Sequence, residues 1–501
     1  MKLYKYIPML LLASSLVSCE IERLPISELS EDIYYTTADQ LATGLVSCYA
    51  GLQEPMKYEW KLTEMRSDNT RVEQLTSTST ATIANIEFDK CAVTTTNPAV
   101  YDYWYATYKN IANCNTVLDA IDVVTETATA NEIEGQARFI RAYHYFNLVR
   151  LFGPVFIVET RISAQEAVDY SRVPVAEVYD FIIEDLEQAA YMLDDVDYSS
   201  SDVARVTQWS AKALLAKVYM TLHDYSKAKE YLYDVYYNSG HSLLANYDDV
   251  FDIGNECNSE ILFTIRYTSG GIGLGSPFGN WFAPEQSGDS VIANDGNSYN
   301  YPSSIIIDSY LVSAADSATG AEAVYDLRKD NNVREGYYNS TNTWIDDAFV
   351  NKYISPITND EDGDKDWPII RFADVVLLFA EAINETEGPA GAIEYINMTR
   401  SRAGLAALDA ADYTTKHSMR MALEDERQKE FAFENQRWFD IVRTDRVLEI
   451  VNGAYDDDPF YAEAMEDEGL YIEEVTENAI LLPIPQEEID ANPNITQNAG
   501  Y

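Results

Sequence analysis

Seven aromatic side chains carry the most suggestive chemistry in the sequence: Tyr58, Trp60, Tyr101, Trp281, Tyr299, Tyr301 and Trp344. Each presents a flat apolar face with a polar tip, which stacks on a sugar ring or clamps a peptide at little entropic cost. The chain favours this type of ring, with 37 Tyr against 17 Phe. Shortly after Trp60 comes Arg66-Ser67-Asp68-Asn69, a run of donors and acceptors able to read hydroxyls or amides. The chemistry implied is adhesion to a ligand. Packing is the ordinary alternative for any one of these rings, because Trp and Tyr are largely buried on average.

Bond-making chemistry finds little support. The four histidines, His144, His223, His241 and His417, are not spaced as a metal pair. A Gly-rich phosphate loop, a Gly-x-Ser-x-Gly elbow and a Cys/His signature are all missing, so no catalytic residue, cofactor or metal is assigned. Two carboxylates brought together by folding leave no motif, which keeps a surface glycosidase as a distant alternative. The acidic run Asn359 to Asp366 imitates a calcium loop around Gly363. With that glycine in the sixth position, Thr358 falls first and Ile369 twelfth, so both end ligands fail and a solvated turn is expected.

Acids outnumber bases by 83 to 35, giving a net charge of -48 spread along 501 residues. Nucleic acid and anionic lipid headgroups are therefore poor partners. The N-terminus carries Lys2 and Lys5, then an apolar run from Ile7 to Val17 that ends in Leu16-Val17-Ser18-Cys19. Such a run is too short for a bilayer, which needs ~20 helical residues. A charged start, a short apolar centre and small residues make 1–18 a secretory signal. The cysteine that follows resembles a bacterial lipoprotein box, with Cys19 as the acylated first residue of the exported chain. An ordinary signal with an incidental cysteine is the alternative. Several acyl chains, at ~0.8 kcal/mol per buried methylene, hold a protein stably on a membrane. Cys48, Cys91, Cys114 and Cys257 match no zinc spacing and are too sparse for a disulfide framework. Buried hydrophobes is the default reading for them, and export leaves one or two bridges open.

The elements that would hold the aromatic residues are mainly helical. Phe372, Val375, Val376, Phe379, Ala380 and Ile383 define one apolar helix face, and Ala392 to Arg402 forms its partner with Gly404 as the C-terminal stop. Trp209 to Leu222 pairs in the same way with Tyr225 to Tyr237. Ala211, Ala213, Ala216 and Ala228 permit the close approach that tetratricopeptide-like hairpins require. Glu132 to Phe152, stopped by Gly153-Pro154, pairs with Pro174 to Leu193. Residues 241–368 and Thr70 to Asn97 read instead as loops with short strands such as Ile261 to Tyr267. The expectation is a single domain over 19–501, with a helical scaffold at about 39–240 and 369–450 and a loop-rich insertion at about 241–368. Loops on a rigid scaffold are where binding concentrates.

Five stretches carry a family resemblance: Tyr108 to Asn113; Gly135 to Tyr143 with Phe152 to Val155; Ile370 to Val375; Asn397 to Gly404 with Glu426-Arg427 and Arg437 to Asp440; and Leu482 to Pro485 with Asn492 to Asn494 and Gln497-Asn498. Together with the lipoprotein start, the chain resembles the SusD/RagB family of outer-membrane nutrient-binding lipoproteins from Cys19 to Tyr501. The resemblance implies a mainly α fold: tetratricopeptide-like hairpins carrying an irregular ligand-binding half of loops and short strands. It also implies a SusC-like TonB-dependent transporter as partner, an outer-membrane location facing the exterior, and glycan cargo, with peptide in some members. Asn435 departs from the glycine common in the family, but asparagine also tolerates the left-handed conformation. Arg138, Arg141, Asp374, Arg437 and Asp440 read as buried charge pairs holding hairpins together. Ligand residues vary with cargo in this family, so none is transferred. The expected function is a non-catalytic receptor for an oligosaccharide, with a peptide receptor as the nearest alternative.

Overall fold

The computed structural model describes residues 35–194, 204–315, 322–467 and 472–501. The expected signal and Cys19 lie outside these residues. Thr37 opens α1 (Ala38–Ala50) by accepting the Gln40 N–H, and α2 (Gln53–Leu62) follows. Next come α3 (Thr80–Asp89), α4 (Pro98–Asp119) and α5 (Thr127–Phe152). Asn97 caps α4 onto the Ala99 N–H with Pro98 in the first turn, and Gly153 ends α5 at φ 71°. The sequence reading treated Thr70 to Asn97 as loop, yet α3 forms there. Its Ser/Thr-rich start masks a segment that buries Ile86 and Phe88, and Asp89 accepts the Val72 N–H to fasten its end.

Helix α6 (Val175–Met192) packs along α5, while α7 (Gln208–Thr221) and α8 (Tyr225–Asn238) form a hairpin through His223, whose φ is 59°. Ala211, Ala213, Ala216 and Ala228 are all buried in this part of the scaffold, as close helix packing requires. After a short helix α9 (Phe278–Phe282), the scaffold resumes with α10 (Phe372–Thr386), α11 (Pro389–Arg402) and α12 (Lys416–Glu430). Gly404 at φ 74° follows the end of α11. Asn435, at φ 61°, adopts the left-handed conformation just before α13 (Arg437–Arg443). No helix among the described residues is long and apolar enough to cross a membrane.

The segment between α8 and α10 holds most of the strand content, as antiparallel pairs: β1 (Thr70–Arg71) with β3 (Tyr301–Pro302), β2 (Ile261–Ile265) with β8 (Trp367–Arg371), β4 (Leu311–Ser313) with β5 (Val324–Tyr325), and β6 (Val333–Tyr338) with β7 (Trp344–Val350). The β2–β8 pair is the root of this segment. Phe263, Ile265, Trp367 and Ile370 are buried there, and β8 runs directly into α10. One hydrophobic cluster extends from Leu41 to Ile495 and includes Trp60, Trp104, Trp367 and Trp438.

Buried ions lock the irregular segment to the helices. Arg371 grips Glu434 through two bonds of 2.8 and 2.9 Å and also reaches Glu260 at 2.8 Å. Arg402 pairs with Glu260 and Glu430, Arg328 with Asp326, Glu426 and Glu430, and Lys352 with Glu434. A second chain of charges runs from Lys217 through Asp374 and Arg427 to Asp440. Arg138 and Arg141 both meet Asp185, tying α5 to α6. The charged residues singled out in the sequence are thus paired within the scaffold. Cys48, Cys91 and Cys114 are buried free thiols, and Cys257 is half-buried and also free.

Candidate ligand-binding surface

Helix α9 builds an open aromatic surface because its two phenylalanines face inward. Phe278 packs on Trp367 with ring centres 4.5 Å apart, and Phe282 meets Trp60 edge-on at 5.1 Å. Trp281 is left half-buried on the outer side. Asn280, itself buried, organises the surrounding loops: its amide donates to the Asp295 carbonyl at 2.9 Å, and its oxygen accepts the Glu361 N–H at 2.9 Å. The Tyr299 N–H donates to the Trp281 carbonyl at 2.8 Å, which lays the two rings side by side at 6.2 Å. Tyr299 is 40% exposed. Glu361 completes the group by accepting the indole N–H of Trp281 at 2.7 Å.

The surface extends in two directions. On one side, the Ser340 N–H donates to the Gln286 carbonyl at 2.7 Å, which holds the turn of the β6–β7 hairpin against the loop that follows α9. That hairpin exposes Tyr338 and Trp344, packed edge-on at 5.1 Å. On the other side, Lys61 lies 5.3 Å over the ring of Trp60. Beyond it lies Tyr58, whose phenol is pushed up to about 12 by partial burial and by the charges of Asp102 and Glu54. Tyr101 stacks on the exposed Tyr105 at 6.1 Å.

Trp281 on α9, Tyr299 on the loop that follows it and Trp344 at the start of β7 are therefore open rings held by the scaffold, and Tyr58 and Tyr101 are half-buried at the margin. Five other expectations need correcting, because their groups are enclosed and already engaged. Trp60 is fully buried beneath Trp281, with its indole N–H on the Lys57 carbonyl. Arg66 donates to the carbonyls of Ala479 and Ile480 and stacks on Trp438 at 3.9 Å. Asp68 accepts two bonds from Arg437, at 2.7 and 2.8 Å. Asn69 is held by Glu64 and Gln428. Tyr301 sits in β3 beneath the Arg71 guanidinium. The donor-rich run after Trp60 closes the core onto the C-terminal segment and α13.

Tyr105, Tyr338 and Glu361 join this candidate surface without having been singled out in the sequence. Glu361 belongs to the acidic turn read as merely solvated. Within that turn, Asp362 accepts the N–H groups of Gly270 and Gly271, Asp364 accepts that of Ser269, and Asp366 accepts that of Tyr267. Glu361 points the other way, to Trp281. Among the described residues, no group of three or more His, Cys, Asp or Glu is placed to hold a metal ion.

A cavity of about 400 Å³ opens elsewhere, between α10, α12 and α13. Its charges are matched: Arg420 with Glu385, Arg443 with Glu381, and Arg446 with Glu424. Burial pushes the carboxyls of Glu59, Glu64 and Asp89 up to about 7. All three are enclosed and hydrogen-bonded to protein groups.

Residues 274–501 match the model described as SusD family, and residues 24–220 match one described as starch-binding associating with outer membrane. A SusD-like protein of Formosa agariphila is 26% identical over 551 residues, covering 100% of both chains. A SusD-like protein of Bacteroides fragilis has a crystal structure that superposes with a TM-score of 0.77 at 22% identity, covering 96% of this chain and 100% of that one. Surface glycan-binding protein A of Bacteroides thetaiotaomicron, solved in complex with laminarihexaose, gives 0.74 at 19% identity, covering 92% of this chain and 100% of the other. At such identities the structural likeness speaks to the fold.

Proposed function

The chain belongs to the SusD family, and from that membership we propose that it is a non-catalytic receptor which captures an oligosaccharide and passes it to a TonB-dependent outer-membrane transporter. The observation that carries the binding role is the pair of open rings, Trp281 and Tyr299, set at 6.2 Å with Glu361 at their edge. Two adjacent flat faces suit consecutive sugar rings, and a carboxylate accepts hydrogen bonds from their hydroxyls. The surface is anchored by α9 and the β2–β8 root, so little ordering is left to occur on binding. The laminarihexaose complex of a protein with the same fold supports glycan as the cargo class. Delivery to a transporter, a lipid anchor on Cys19 and an outward-facing position rest on the family and on the N-terminal sequence.

The non-catalytic reading is supported by the state of the carboxylates pushed up to about 7: Glu59, Glu64 and Asp89 are sealed inside the scaffold, and the half-buried Asp366 is paired with Arg266 at 2.6 Å and accepts the Tyr267 N–H. Affinity electrophoresis of the protein through gels containing single polysaccharides tests both parts. Retarded migration in at least one glycan, with no reducing sugar released, is expected. Released sugar would make the protein a glycosidase, and retention by peptides alone would make it a peptide receptor.

A further inference from the structure

The open rings are surrounded by acids. The phenol of Tyr299 is raised by partial burial and by the charges of Glu361, Glu285 and Asp360, so three carboxylates act on that one ring. All three side chains are exposed. At the other margin Tyr58 answers to Asp102 and Glu54. Lys61 lies at this margin, and burial pushes its ammonium down to about 8. Lys57 is matched by Glu54 at 2.7 Å. The arginines at this end are committed elsewhere: Arg66 to backbone carbonyls, and Arg71 to the rings of Tyr301 and Phe460.

We infer that this surface accepts uncharged glycans and turns away polyanionic ones, such as uronate or sulfated chains. The inference rests on the reading of the surface as a glycan site and adds to it the class of glycan. Recognition of a uronate or sulfate needs a guanidinium fork or ammonium beside the rings, and the charges that act on Tyr299 are all carboxylates. Neutral hydroxyls are donors, so the same carboxylates that repel an anion bind a neutral sugar. At roughly 10 Å, one carboxylate weakens the binding of one anionic group about two- to fourfold. Three together give about one to two orders of magnitude at low salt, and less as salt screens them.

The test uses the full chain in detergent, with laminarin and amylopectin as neutral probes and polygalacturonate, alginate and chondroitin sulfate as anionic ones. Affinity electrophoresis and titration calorimetry are run at roughly 20 and 300 mM NaCl, either side of the range where screening sets in. Binding to a neutral glycan should change less than about twofold with salt, while the anionic probes give no retardation at the lower salt. The double variant Glu285→Gln/Asp360→Asn, both at exposed positions, should strengthen the interaction with anionic chains about four- to sixteenfold. Tight binding of an anionic glycan by the unaltered protein overturns the inference and leaves the glycan-receptor reading standing. So does an unchanged preference in the double variant, because the acidic field would then not be its source. Failure of every glycan, neutral and anionic, removes both.

Discussion

The indole nitrogen of Trp281 donates to Glu361 at 2.7 Å across 80 residues of sequence, and this bond fixes the ring on the outside of the molecule. A ring held in advance at both its backbone and its edge binds without paying for its own ordering. Trp281→Ala should therefore weaken glycan binding by about 1–3 kcal/mol while changing thermal stability little, because the ring is only half-buried. Glu361→Gln keeps an acceptor for the indole and should lose less. Calorimetric titration with a glycan found in the electrophoretic screen gives the answer. Unchanged affinity in Trp281→Ala would remove the ring from the site.

Trp60 should behave in the opposite way. It is fully buried and packs against Phe282 edge-on at 5.1 Å, so truncation opens a cavity under the platform. Trp60→Ala is expected to cost about 3–5 kcal/mol of stability, read from urea unfolding, with affinity falling only as far as Trp281 shifts. Equal stability with lost affinity would restore Trp60 to direct ligand contact.

This contrast shows where sequence reasoning reached and where it stopped. The hairpin α7–α8 and the helix beginning at Phe372 were legible because apolar periodicity and a Gly or Asx stop are local properties. Arg141 and Asp374 were legible as structural charges because they lie on helices already assigned to the scaffold. Trp60 and Trp281 could not be told apart, since the same residue type serves a core and a platform, and the difference is set by contacts more than 200 positions away. Glu361 stayed hidden for the same reason. Nothing local distinguishes the one acid of its turn that meets an indole from those that cap the loop around Gly270.

The buried ions predict a sharp asymmetry among arginines. Arg371 is enclosed with Glu260, Glu430 and Glu434, and the cationic partners hold the Glu430 carboxyl down at about 2 despite its burial. Arg371→Met would strand those carboxylates and should cost about 3–5 kcal/mol. Arg446→Met removes two partly exposed pairs, to Glu424 and to the 70% exposed Glu449, and should cost about 1 kcal/mol. Denaturant unfolding of the two variants compares them directly. Equal losses would mean that the enclosed cluster does not hold the irregular segment to the helices.

The membrane attachment proposed for Cys19 has its own measurement. Cys19→Ala should shift the protein from the detergent-extracted membrane fraction to the soluble fraction, or leave it unprocessed. Intact mass of the unaltered protein should show the acyl chains. Membrane retention of the variant without any acyl mass would exclude the anchor.

His144 offers a test of stability against pH. It is 1% exposed, and its Nε2 lies 2.8 Å from the amide of Asn110, which also donates to the Cys48 carbonyl at 2.9 Å. Accepting that bond requires a neutral ring with the proton on Nδ1, and burial holds the imidazole down at about 3. The folded value lies below the unfolded value of about 6.5, so the unfolded chain binds the extra proton. The resulting contribution is complete above pH 6.5 and drains away as pH falls from there toward 3. His144→Gln keeps an acceptor for Asn110 and has nothing to protonate. Between pH 7 and 5, the unaltered protein should lose about 2 kcal/mol relative to this variant, measured as the difference in unfolding free energy at each pH. Parallel curves for the two proteins would mean that the imidazole protonates inside the fold, and that Asn110 does not hold it neutral.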